Sequence, residues 1–391
     1  MIKPMKYMQS LTAKFYAFSF FDDFILIYPL YAVMFADARL SPSKITSLFV
    51  IWSLTSFLLE VPTGVLADKY PRKNILIIGI LIRALGFSSW LLWRNYLGFM
   101  LGFILWGIKS ALTSGTKEAL VYDELNRIGK VSDYAKVTSR MGSLELTGVV
   151  LAAFGASTLA TRGYSLILVF SIVAVVISAV AIYLLPKALA VEPSEETKYF
   201  DHLREGVKVV FSKPIIPFLV LFMGVVAGIG AIDEYFGLFF REKGLSNSSI
   251  AFWTGFIFLL GALGNIFIYK LENKKLRLEY SLFLWAVILF AAALVPGLWA
   301  PLILGIYMMF FFGAHTLFNI FLQKELDDKT RATATSVGGF ASEIFGLLGY
   351  AVISFGASRG GYTYGFKLVA VAVVISAILL FSYARKSKLD V

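Results

Sequence analysis

The chain is 391 residues long, 58% hydrophobic and only 16% charged, with a mean hydropathy of +0.77. That balance excludes an ordinary water-soluble globule. Cys is absent, so disulfides and thiolate metal sites are excluded, and two His leave no histidine cluster for a metal. The net charge of +11 raises nucleic acid as a partner, and its placement along the chain argues against one.

The N-terminal residues, 1–14, are short and basic and run straight into an apolar stretch of full spanning length. They are expected to form a cytoplasmic tail rather than a cleaved signal peptide. Twelve apolar runs follow, near 13–36, 43–67, 74–95, 97–117, 139–160, 164–185, 214–239, 248–270, 280–296, 300–323, 333–356 and 364–384. Crossing the hydrocarbon takes about 20 residues of helix. Lipid offers no partner for backbone polar groups, so helices are the expected spanning form. The expectation is an all-α membrane protein of twelve transmembrane helices.

Orientation follows from Lys and Arg. With the N-terminus inside, the cytoplasmic segments hold 26 of the 36 cations and the outer segments hold 7. Arg83, Lys109 and Lys367 fall inside spans. This bias predicts both termini in the cytoplasm of a cell-membrane protein. It accounts for the basic charge without nucleic acid.

Pro186 to Lys213 is the longest polar segment, and part of it, from Phe200 to Phe211, has an amphipathic helical period. It is expected to link two halves, 1–185 and 214–391, each of six spans. The halves repeat. Leu40-Ser41-Pro42-Ser43-Lys44-Ile45 reappears as Leu245-Ser246-Asn247-Ser248-Ser249-Ile250, 205 residues on. At that offset Leu66, Asp68 and Lys69 fall on Leu271, Asn273 and Lys274. Glu145-Leu146-Thr147-Gly148 resembles Glu343-Ile344-Phe345-Gly346 at an offset of 198. Two pseudo-symmetric six-helix bundles are the expected architecture.

The stretch Glu60-Val-Pro-Thr-Gly64-Val-Leu66-Ala67-Asp68-Lys-Tyr-Pro71-Arg72-Lys73 joins spans 2 and 3. Asp68 stands ahead of span 3, where a carboxylate is favoured by exposed N–H groups. The stretch resembles the loop-2/3 signature of the major facilitator superfamily, roughly G-x-L-A-D-x-x-G-R-K, at Gly64, Leu66, Ala67, Asp68, Arg72 and Lys73. Pro71 stands where the family has glycine. The resemblance implies a two-bundle transporter fold and a gating latch at Gly64, Asp68, Arg72 and Lys73. It also implies alternating access to a small-molecule substrate, a monomer in the lipid bilayer, and no enzymatic activity or cofactor. Ser114 to Asp123 resembles a segment common in efflux-type members. Two antiporter patterns are absent: Ile104 occupies the position of the span-4 Arg, and Gly148 to Gly155 replaces the Gly-Pro pattern of span 5. No phosphate-binding G-x-x-x-x-G-K-[ST] loop is present, which argues against ATP as the driving force.

Ionisable residues at mid-span are costly and are functional candidates by default. Asp22 and Asp23 lie about ten residues into span 1. Successive helical residues point about 100° apart, so only one of them faces a central cavity squarely. Glu343 is at similar depth in span 11. Glu145 lies nearer the cytoplasmic end of span 5, near Arg140, and Glu60 about a third of the way in. Lys109, on a span class that lines the cavity in the family, is the expected partner of Asp22 or Asp23. Arg83, on a peripheral class, is expected to be structural. His315 and Asn319 form an i, i+4 polar pair on span 10. Asp233 and Glu234 sit about six residues nearer the outside than a symmetric copy of Asp22 and Asp23 would. Acidic residues outnumber basic ones at mid-depth. The expected function is proton-coupled export of a cationic or amphipathic organic molecule, with proton-linked uptake or lipid translocation as alternatives.

Overall fold

A computed structural model describes the backbone of residues 4–186, 215–268, 278–325 and 328–387. Most of the 186–213 linker, with its amphipathic stretch, and the Leu271, Asn273 and Lys274 copy of the loop motif lie outside the described residues. So do the side chains of Asp68 and Asn319.

Among the described residues the chain is all helical. The helices are α1 (Pro4–Asp23), α2 (Tyr31–Asp37), α3 (Pro42–Lys69), α4 (Arg72–Leu92), α5 (Tyr96–Thr113), α6 (Thr116–Arg127), α7 (Tyr134–Leu159), α8 (Tyr164–Tyr183), α9 (Ile215–Gly230), α10 (Phe236–Glu242), α11 (Asn247–Ile268), α12 (Leu278–Leu294), α13 (Trp299–Glu325) and α14 (Asp328–Lys386). Eight described stretches are long and apolar enough to cross a membrane, and Tyr280–Leu294 and Trp299–Gly313 are shorter apolar helices. The twelve expected spans map onto these with three changes, at spans 1 and 7 and at the junction of spans 11 and 12. Spans 11 and 12 are the two arms of α14, which bends at Gly360 and Gly361. Span 1 is not one helix.

The expected 13–36 helix stops at Asp23 and resumes at Tyr31. Pro29 explains the break, since it lacks an N–H and its ring collides with the carbonyl four residues back. The freed backbone groups are satisfied locally. Ile25 N donates to Asp23 O at 2.8 Å, and Ile27 N donates to Ser171 Oγ on α8 at 3.1 Å. Span 7 is interrupted at the corresponding point, where a 3-10 segment (Ala231–Tyr235) separates α9 from α10. The 205-residue repeat offset carries Leu30 onto Tyr235, so both halves break their first helix at one place.

The chain divides into two compact units. Met1–Leu40, Ser47–Glu196 and Asn247–Gly255 form the first; Ser41–Thr46, Thr197–Ser246 and Phe256–Val391 form the second. The core of the first is aromatic. Phe35 packs on Phe99 with ring centres 4.4 Å apart, Trp90 on Phe103 at 5.0 Å, and Tyr28 stacks on Trp106 at 5.3 Å. Trp90 donates its indole N–H to Phe99 O at 3.1 Å, so the ring is buried without an orphaned donor.

Backbones approach closely where small residues allow. A Cβ at Gly148 on α7 would lie 2.5 Å from Phe20 O on α1. In the second unit the matching contact falls on Gly349, whose Cβ would lie 2.6 Å from Gly228 O, while Gly346 meets nothing within 4 Å. The two glycines matched in the sequence thus differ in their surroundings.

Candidate functional site

The site is built where α1 ends. Asp22, 8% exposed, is gripped from three sides. Arg83 on α4, 1% exposed, ion-pairs with its carboxylate, and Arg83 Nη2 also donates to Asp22 O at 2.8 Å. Lys109 Nζ on α5 reaches Asp22 Oδ2 at 3.1 Å, and Ser178 Oγ on α8 lies 3.3 Å from Asp22 Oδ1. A cation at a helix C-terminus is favoured by the exposed carbonyls and the dipole. Arg83 neutralises the carboxylate and caps the helix in one move.

Asp23 differs from its neighbour. It is half-buried, and no side-chain hydrogen bond or ion pair engages it among the described residues. It lines a cavity of about 610 Å³ with Asp22, Lys109, Lys117, Glu118 and Glu145. Ser110, Thr113 and Ser114 add hydroxyls from the end of α5. Gly115, at φ +67°, turns the chain there, a conformation that favours glycine, and α6 begins at Thr116.

Glu145 on α7 lies on the cavity wall. It accepts from Ser19 Oγ at 3.1 Å and from Lys117 Nζ at 3.1 Å. The expected neighbour, Arg140, is not its partner: Lys117, from the segment that follows α5, takes that place. Lys117 also lies 3.5 Å from Glu118. The cavity thus combines three internally paired carboxylates, Asp22, Glu118 and Glu145, with one open carboxylate, Asp23.

Other sequence candidates fall elsewhere. Glu60 on α3 is exposed, with Ser114 Oγ 3.4 Å from its carboxylate. His315 on α13 is exposed and stacks with Phe311 at 6.3 Å. Glu343 on α14 is half-buried, in the second unit. Asp233 and Glu234 occupy the 3-10 break of the second unit, flanked by the buried Ile232 and Tyr235.

At the loop motif, Arg72 ion-pairs with Asp123 on α6. Lys73 donates to Leu185 O at 2.7 Å and to Pro186 O at 3.2 Å, just past the end of α8, and lies over the Tyr183 ring at 5.6 Å. Gly64 is exposed with open space beside it.

Sequence reasoning missed Ser171 and Ser178. The signal was present: two serines seven residues apart share one face of an otherwise apolar helix. That face meets the break in span 1 and the carboxylate beside it.

The profile of the Major Facilitator Superfamily matches residues 15–350. Multidrug resistance protein 2 of Bacillus subtilis is 21% identical over 297 residues, covering 73% of each chain. Quinolone resistance protein NorA of Staphylococcus aureus is 23% identical over 293 residues, covering 72% of each. Among solved structures, that of nucleoside transporter NupG superposes with a TM-score of 0.78 at 16% identity. It covers 95% of this chain and 98% of the other.

Proposed function

Since this chain belongs to the major facilitator superfamily, a family of multi-pass membrane transporters, we propose that it exports a cationic or amphipathic small organic molecule in exchange for protons. The observation that carries this reading is the inequality of two adjacent carboxylates. Asp22 is neutralised by Arg83 and Lys109, whereas Asp23 faces the polar cavity with no partner among the described residues.

Protonated, Asp23 leaves the cluster of Asp22, Arg83 and Lys109 with one net positive charge. Ionised, it brings the cluster to neutrality. An open carboxylate in a low-dielectric cavity has two routes to neutralisation: it takes a proton or it pairs with a cation. A cationic substrate and a proton therefore compete for Asp23, which is the requirement for exchange. Lys109 stands within reach of the cavity on Asp22 and responds to whichever state holds.

The names of the two relatives, a multidrug resistance protein and a quinolone resistance protein, agree with export of organic molecules. Two six-helix bundles joined by the 186–213 linker, with both termini in the cytoplasm, are part of the same proposal. So is a latch at Gly64, Asp68, Arg72 and Lys73. Alternating access around the cavity would then carry the substrate across.

Purified protein in liposomes with an imposed pH gradient tests the reading. An organic cation should move against its gradient as protons run down theirs. Collapse of the pH gradient by an ionophore should stop it. Transport indifferent to the pH gradient would remove the proposal.

A further inference from the structure

Several cations at the polar end of unit 1 that carries the loop motif find acceptors in the protein. Arg72 closes on Asp123, Lys73 donates to the carbonyls of Leu185 and Pro186, Lys117 to Glu145, and Arg127 lies 3.6 Å from Glu124. Three cations without such an acceptor share one cavity. Lys130, Lys136 and Arg140 have no hydrogen-bond or ion-pair acceptor among the described residues, and all three line one cavity of about 560 Å³.

The local fold brings them together. Gly129, at φ +67°, ends α6, and the short 3-10 turn Val131–Asp133 follows with Lys130 at its head. α7 then starts at Tyr134, which sets Lys136 and Arg140 four residues apart on one face. Like charges at that spacing repel and weaken a helix. The carboxylate of Asp133 stands at the N-cap position and makes no capping hydrogen bond, and the first N–H of α7, that of Tyr134, is taken by Val131 O. α1 supplies the opposite wall, with Met8 apolar and Tyr16 bringing a hydroxyl without a partner among the described residues. Three cations against one carboxylate leave the cavity at about +2.

We propose that this cavity binds a phosphate-bearing ligand. A phosphate offers three acceptor oxygens to the three convergent cations. Binding relieves the repulsion between Lys136 and Arg140. The charge bias of the sequence assigns this end of the unit to the cytoplasm. There the same chemistry comes from an anionic lipid headgroup or from a soluble phosphate. The site is separate from the Asp22–Asp23 cavity, and the inference stands without the transport reading.

The test uses the full chain in neutral detergent. Its melting midpoint is followed by tryptophan fluorescence against short-chain phosphatidylglycerol and against inorganic phosphate, at constant ionic strength. At least one probe should raise the midpoint of the native protein. Phosphatidylglycerol alone identifies a lipid headgroup; inorganic phosphate acting as well identifies a soluble ligand. The K130Q/K136Q/R140Q variant should bind about a hundred-fold more weakly, at about five-fold for each charge removed. An R385Q/K386Q control, which removes two exposed cations elsewhere, should keep the full shift. If the triple variant does not fold, the single change Arg140→Gln should still weaken binding about five-fold. The proposal is overturned if neither probe shifts the native protein, if the charge variants keep the full response, or if the control loses as much.

Discussion

Arg83 holds Asp22 twice, through its carboxylate and, at 2.8 Å, through its backbone carbonyl. The guanidinium is buried at 1% exposure, so its charge depends on that one residue and cannot fall back on water. Removing one partner of a buried pair leaves an uncompensated charge, at a cost of about 3–5 kcal/mol. Asp22→Asn should therefore lower the thermal midpoint sharply in detergent. The double change Asp22→Asn with Arg83→Met should recover most of the loss. Equal stability of Asp22→Asn and native protein would show that the pair does not hold this part of the fold.

Gly148 and Gly346 look alike in the sequence and differ in the structure. A methyl at Gly148 meets Phe20 O at 2.5 Å, whereas one at Gly346 meets nothing within 4 Å. Gly148→Ala should force α1 and α7 apart and cost about 1–3 kcal/mol. Gly346→Ala should be neutral or slightly stabilising. Unfolding midpoints of the two variants, measured side by side, check the contrast.

Glu242, the last residue of α10, receives the backbone N–H groups of Tyr362 and, at 3.0 Å, Thr363, where α14 resumes after its bend. Its carboxylate serves as the missing cap of that arm. Glu242→Ala should cost about 1–2 kcal/mol, in the range of other lost helix caps. Glu242→Gln, which keeps an acceptor oxygen, should cost less. Hydrogen exchange at Tyr362 and Thr363 should accelerate in the alanine variant in particular.

Arg72 and Asp123 form a pair that is about a quarter to a third exposed, at 26% and 34%. Such pairs contribute about 0–1 kcal/mol. Asp123→Asn should thus leave the thermal midpoint nearly unchanged. Under the latch reading, Asp68→Asn and Asp123→Asn should both depress transport while the protein stays folded in the membrane. Normal transport by both variants would dissociate the loop motif from gating.

The run lengths of apolar residues set the helix count, and the mid-span rule picked out Asp22, Asp23 and Lys109, because ions in lipid are rare enough to be informative. Hydrophobic run length does not register a break inside a run. Pro29 was the only local sign that span 1 stops at Asp23. Arg83 was set aside on the class of its span, yet its side chain is long enough to reach α1 from a peripheral helix. The Gly148–Gly346 match gave no sign that only Gly148 lies against a neighbouring backbone, because sequence likeness does not encode how closely two helices approach. Lys117 replaced Arg140 beside Glu145 because the turn at Gly115 brings α6 back toward the cavity, which periodicity along one helix does not encode.

The central claim is that Asp23, and not Asp22, carries the exchangeable proton. The most direct measurement is pH-gradient-driven transport of an organic cation by Asp23→Asn in proteoliposomes. Protein amount and thermal midpoint are matched to the native protein. Asparagine keeps the size of the side chain and removes its charge and titration, and no buried cation is left unpaired by the change. The account predicts native-like stability with gradient-driven transport abolished, and any remaining exchange independent of pH. Full gradient-driven transport by Asp23→Asn, with unchanged pH dependence, would contradict it.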